Sequence, residues 1–194
     1  MIMAALIALS TVVPVGQSVP PVAVDVVVVS GSPGCTPLAV AVGPDGRTVS
    51  AAYGRFAAEA GGGASPDAAT RKCRVLLRVV PPRGYTYGIA RATYAGFVAL
   101  RPGATALHRA SLRVQGSPTP ITRESWFTGP VFEEWTADYL PEPSAIVYAP
   151  CGGGATFDLS SELKVDPGTA DPTVRDVIET DSPYLKYVLA TRSC

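Results

Sequence analysis

The chain contains no asparagine, so it carries no N-glycosylation sequon. Histidine occurs once, at His108, and lysine only at Lys72, Lys164 and Lys186; arginine supplies the remaining thirteen positive charges. No Cys-x-x-Cys pair is present, which removes the usual short-range metal and redox motifs. No Gly-x-Ser-x-Gly elbow marks a serine hydrolase, and no Asp-x-Asp-x-Asp run marks a calcium loop. Beyond the N-terminus no stretch of about 18 apolar residues runs without charge, so no transmembrane helix is expected. The sequence holds no convincing amphipathic helix of ten residues, no internal repeat and no domain linker; the nearest thing to a helix is Ala51–Ala60.

What is present reads as one globular domain. The 194 residues are 47% hydrophobic and 16% charged, with a formal net charge of zero. Glycine and proline number 19 each, which suits short strands joined by turns. The apolar run Ala4–Val13 is too short to span a bilayer and fits the core of a secretory signal, with small residues at Gly16 and Ser18. No lysine or arginine precedes it, and an apolar N-terminal strand is the competing reading. The expectation is a signal peptide over 1–18 and a single secreted β domain over 19–194. The four cysteines, Cys35, Cys73, Cys151 and Cys194, then read as disulfides of an oxidising compartment rather than as a zinc site. Three pairings are possible. The sequence-local one joins Cys35 to Cys73 and Cys151 to Cys194, each closing a loop of about 40 residues.

Period two dominates the rest. Val22–Val29 is a β-branched run readable as a buried strand. Leu38–Val42 and Thr48–Tyr53 flank Gly43-Pro-Asp-Gly46, a hairpin signal. In Cys73–Val80, Val75, Leu77 and Val79 share one face while Arg74 and Arg78 take the other. Tyr85–Leu100 is aromatic-rich, with Gly88 and Gly96 as points of close approach or bulges. Ala106–Val114 places His108 on the apolar face and Arg109 and Arg113 on the polar one. Further strands are expected at Glu124–Phe127, Val131–Thr136, Ala145–Tyr148, Thr156–Val165 and Tyr184–Thr191, and Asp166–Asp181 reads as a long surface loop. Nine to eleven short strands predict an all-β antiparallel sandwich, or a barrel-like relative, with two disulfides.

Ten short motifs then align in order, among them Ser30-Gly-Ser-Pro-Gly-Cys35, Val42-Gly-Pro-Asp-Gly46, Arg71-Lys-Cys73, Tyr94-Ala-Gly96, Gln115-Gly-Ser117, Pro150-Cys-Gly152 and Arg192-Ser-Cys194. From about Val24 to Cys194 the chain resembles the domain-of-unknown-function 4360 family of secreted bacterial and fungal proteins. The resemblance implies secretion, four cysteines and a β-rich domain. It implies no activity and no catalytic residue.

Candidate chemistry is sparse. His108 reads as a packed core histidine, so no catalytic residue is assigned. Glu133 and Glu134 are adjacent and point to opposite faces of a strand, which prevents direct cooperation between them. Asp166, Asp171, Asp176 and Asp181 recur every five residues without a calcium-loop spacing, and no metal or cofactor is expected. Charge is segregated: Arg71–Arg123 contains ten basic residues and no acid, whereas Glu124 onward holds twelve acids and four basic residues. Either a basic face attracts an anionic polymer, or the acidic late strands pair with the basic central ones. The residues singled out for binding are Arg74, Arg78, Arg109, Arg113, Trp135 and Tyr94. No nucleic-acid module is recognisable. The leading expectation is a non-enzymatic secreted binding or surface-interaction module whose partner is a glycan, a cell-wall polymer or another protein. The alternatives are an extracellular hydrolase, and a secreted inhibitor or effector presenting a loop such as Gly61–Pro66 or Pro150–Gly154.

Overall fold

The structure, a computed structural model, describes residues 22–35, 37–180 and 185–194. The expected signal peptide, Asp181 and Tyr184 lie outside the described residues. Twelve strands follow one another: β1 (Ala23–Gly31), β2 (Pro37–Val42), β3 (Thr48–Tyr53), β4 (Phe56–Ala60), β5 (Thr70–Val80), β6 (Tyr85–Leu100), β7 (Thr105–Val114), β8 (Ile121–Thr128), β9 (Val131–Tyr139), β10 (Ala155–Asp166), β11 (Asp176–Thr180) and β12 (Leu185–Ser193). They form two antiparallel sheets. The five-stranded sheet has the order β1-β5-β10-β7-β8. The seven-stranded sheet runs β2-β3-β12-β6-β11-β4, with β9 also paired to β6. The all-β, disulfide-bonded sandwich expected from the period-two pattern is what forms.

Alternation decides which face is buried. Val75, Leu77 and Val79 of β5, Ala106, His108, Ala110, Leu112 and Val114 of β7, and Phe157, Leu159, Leu163 and Val165 of β10 all point into the core. Tyr87, Ile89, Tyr94, Val98, Ile178, Tyr187 and Leu189 answer them from the other sheet. The long strand β6 changes phase in its middle. The β6–β12 register slips between Val188 and Leu189, whose partners are Arg91 and Ile89, so Ala90 is an extra residue. That bulge lets Tyr87 and Ile89 before it and Ala92 and Tyr94 after it all face inward. Full burial of side chains such as Phe157, Leu163 and Ile178 contributes roughly 1.5–3 kcal/mol each.

The disulfides join Cys35 to Cys73 and Cys151 to Cys194, the sequence-local pairing. With separations of 38 and 43 residues, each restricts the unfolded chain by about 4 kcal/mol in the loop-entropy account.

Three expectations need correction. Val22–Val29 is not a buried strand: β1 is the outer strand of its sheet, and Val26, Val27 and Val28 are exposed. Ala51–Ala60, in keeping with the lack of a convincing helix, covers the end of β3 and all of β4, where pairing with β12 and β11 outweighs the helix preference of alanine. The polar stretch Asp166–Asp181 contains β11, whose Ile178 is fully buried between β4 and β6. In place of a strand at Ala145–Tyr148 there is a short 3-10 turn, Pro143–Ala145, and an isolated bridge from Tyr148 to Gly88.

Candidate functional site: the outer face of the five-stranded sheet

Antiparallel register turns separate sequence segments into rows across this sheet. One row sets Lys72 (β5) opposite Glu162 (β10), Glu162 opposite Arg109 (β7), and Arg109 opposite Glu124 (β8). The side chains follow the register. Lys72 Nζ lies 3.4 Å from Glu162, Arg109 Nη1 donates to Glu162 at 2.6 Å, and Arg109 Nε donates to Glu124 at 2.7 Å. The chain of contacts ends on Trp126, whose indole Nε1 donates to Glu124 at 3.1 Å. These bonds, first from Arg109 and then from Trp126, hold the Glu124 carboxyl below its ordinary range. Nearby, Arg74 grips Asp158 with two hydrogen bonds of 2.8 Å, and this pairing lowers the Asp158 carboxyl in the same way.

A second row is made of small hydroxyls. Ser30 aligns with Arg74, Arg74 with Ser160, Ser160 with Ser111, and Ser111 with Thr122. Short side chains leave a trough of about 470 Å³ between the taller charged ones, lined by Ser30, Ser111 and Ser160 and by Lys72, Arg74, Arg109 and Glu162. Ser111 Oγ and Thr122 Oγ1 stand 3.2 Å apart at one end. At the edge strand, Trp126 is 64% exposed, with its orientation pinned by Glu124.

Arg74, Arg78, Arg109 and Arg113 all belong to this face. Arg113 aligns with Asp158 and Arg78 with Thr156, and neither makes an ion pair among the described residues. Part of the charge segregation in the sequence is therefore a pairing device. Lys72, Arg74, Arg91 and Arg109 of the basic segment meet Glu162, Asp158, Asp138 and Glu124 of the acidic one.

Trp135 and Tyr94 are placed differently from what a binding role needs. Both are 5% exposed and face the interior, so neither offers a ring face to an external polymer. They pack on His108 instead, each with its ring centroid 4.9 Å from the imidazole. The aromatic residue that does reach solvent on the candidate face is Trp126, which the sequence reading passed over. Its signal was available: in Ile121–Phe127 the polar residues Thr122 and Glu124 share phase with Trp126, while Ile121 and Phe127 take the opposite one.

His108 is 1% exposed, and burial pulls its pKa down to about 4. Its Nε2 lies 3.2 Å from Ser161 Oγ. A serine beside a histidine is two-thirds of a hydrolytic triad, but no carboxylate hydrogen-bonds the ring among the described residues. A histidine held neutral so far below neutral pH is also a weak general base there. The spaced aspartates do separate jobs. Asp166 accepts from the Gly168 N–H, Asp171 caps Thr173, and Asp176 is buried and accepts from the Arg101 N–H at 2.6 Å. No three potential metal ligands converge among the described residues.

Beside the rings a cleft of about 130 Å³ opens between the two sheets, lined by Ala92, Tyr94, Ala137, Asp138 and Tyr139 on one side and by His108, Ala110, Leu112, Ile121 and Arg123 on the other. At its mouth the Arg123 guanidinium stands 5.5 Å over the Tyr139 ring.

Fold and surface define a disulfide-bonded antiparallel β-sandwich that displays an ordered polar array and one oriented tryptophan on a single sheet face. The family described as domain of unknown function (DUF4360) matches residues 20–194, and the chain belongs to that family. No curated protein matches it. No helix among the described residues is long and apolar enough to cross a membrane.

Proposed function

We propose that residues 1–18 are a signal peptide, that 19–194 form a single secreted domain, and that this domain is a non-enzymatic extracellular module binding a polysaccharide or cell-wall polymer on the outer face of its five-stranded sheet. Two disulfides support an oxidising destination. The observation that carries the binding reading is Trp126. A large indole left mostly in water forgoes burial that the fold would otherwise gain, and here its orientation is fixed by a hydrogen bond to Glu124. A sugar ring has an apolar C–H face that stacks on an indole and hydroxyls that need donors and acceptors. Arg109 in the adjoining row, and Arg74 with the Ser30–Ser160–Ser111–Thr122 row about 13 Å along the strand from the indole, supply those across the same face.

The test is retention of the purified protein on insoluble polysaccharides and cell-wall fractions at low and high salt. Salt-resistant retention supports stacking on a neutral glycan. Retention lost at high salt supports an acidic polymer held by the arginines. No retention on any polymer contradicts the reading and moves a protein partner to the front.

A further inference from the structure

The inter-sheet cleft carries a second, independent inference. Strands β8 and β9 are consecutive and joined by a tight turn, yet they belong to different sheets. Near the turn the gap between them is closed by Phe127 against Trp135, with centroids 5.7 Å apart. Away from the turn the inward positions are small, Ala110 on β7 and Ala137 on β9, and space remains. At about 130 Å³ this space approaches the ~150 Å³ apolar cavity known to accept benzene, so it accommodates a single six-membered ring. The Tyr94 ring and a histidine held neutral by burial line it, together with the aliphatic Ala92, Ala110, Leu112, Ile121 and Ala137, the Tyr139 ring and the hydroxyls of Ser111 and Ser125.

The mouth has the opposite character. Two carboxylates stand there, and both are engaged: Glu124 by Arg109 at 2.7 Å and Asp138 by Arg91 at 2.8 Å. Arg123 has no ion pair among the described residues. It donates to the adjacent Thr122 carbonyl at 3.1 Å, and its Cζ stands 5.5 Å from the centroid of the Tyr139 ring. The unmet charge at the opening is therefore positive, on a guanidinium whose fork matches a carboxylate.

We infer that this cleft is a binding site for a small cyclic monocarboxylic acid, with the ring between the sheets and the carboxylate on Arg123. The site opens beside the outer sheet face and shares Glu124 and Ser111 with it, but the inference does not depend on the polymer reading.

Calorimetric or NMR titration of the disulfide-intact protein with benzoate, cyclohexanecarboxylate and benzamide tests it. Both acids bind saturably, and benzamide, which has the same ring without the charge, binds about tenfold or more weakly, as loss of a charge-assisted contact predicts. Arg123→Gln, a substitution near the surface, brings benzoate down to the benzamide level. Ala110→Leu fills the cleft and abolishes binding of all three; Ala137→Val does the same with less added bulk should Ala110→Leu fail to fold. Equal affinity for benzoate and benzamide, undiminished benzoate binding by Arg123→Gln, or no saturable binding of either acid overturns the inference.

Discussion

The Trp126 indole donates to Glu124 over 3.1 Å, and Glu124 is in turn held by Arg109 at 2.7 Å, so an exposed aromatic at the sheet edge is braced by charges from the strand behind it. The other tryptophan, Trp135, is buried against His108 and Phe127. The two should therefore separate in fluorescence. Acrylamide is expected to quench about half of the wild-type signal readily. Trp126→Phe leaves a blue-shifted, poorly quenched emission, and Trp135→Phe leaves a red-shifted, accessible one. Equal accessibility of the two indoles would show the assignment of faces to be wrong.

His108 makes stability depend on pH. Its pKa is depressed from an ordinary 6.5 to about 4 by burial alone. Between those values the unfolded chain binds a proton that the folded one refuses, so stability is complete above pH 6.5 and declines as pH falls toward 4. The full shift corresponds to roughly 3 kcal/mol. Thermal melts across this window should show a steep fall for the wild type and a flatter one for His108→Gln, which cannot titrate. Parallel slopes for the two proteins contradict the account.

Gly96 lies where β6 runs beside β11, and a Cβ there would collide with the backbone carbonyl of Glu179. Because the obstacle is backbone, it cannot swing aside. Gly96→Ala is expected to cost about 2 kcal/mol or more, an overpacking effect. Gly153, with nothing within 4 Å of the added carbon and no left-handed φ, is the control, and Gly153→Ala should lie within about 1 kcal/mol of wild type. Denaturant melts of both decide the matter.

Removing the Cys151–Cys194 bridge as a double alanine variant should lower stability by about 4 kcal/mol if unfolded-chain entropy is its main contribution. Non-reducing peptide mapping should recover Cys35 with Cys73 and Cys151 with Cys194. A Cys35–Cys151 peptide would break the topology described here.

Much of this architecture can be read from local alternation, and the misreadings share a cause. Strands β5 and β7 announce themselves because one face is core and the other is solvent, so Val75 and Arg74, or His108 and Arg109, differ in kind. The position of a strand within its sheet leaves no such mark. The valines of β1 look like a central strand and lie at an edge. Strand β11 is only five residues long and begins with the buried Asp176, so it hid in polar surroundings. The choice between Trp126 and Trp135 depended on strand phase on either side of one tight turn. Tyr94 was legible as a strand residue but not as inward, because the bulge at Ala90 resets the phase of β6. The arginines of β5 and β7 were legible as one face. Pairing with the acidic late strands was legible as one of two readings, but which carboxylate meets which arginine was not, since register between distant strands is a property of the fold.

In the proposed function a polymer lies across the five-stranded sheet and stacks on Trp126. The most direct test compares Trp126→Ala with Phe132→Ala, since Phe132 is even more exposed, at 81%, but sits on the other sheet. On the polysaccharide or cell-wall fraction that best retains the wild type, Trp126→Ala should lose retention about tenfold or more, the size of effect expected for a buried aromatic contact in a binding hot spot, while Phe132→Ala keeps it. Retention that survives Trp126→Ala and fails in Phe132→Ala would place the binding face on the opposite side of the sandwich.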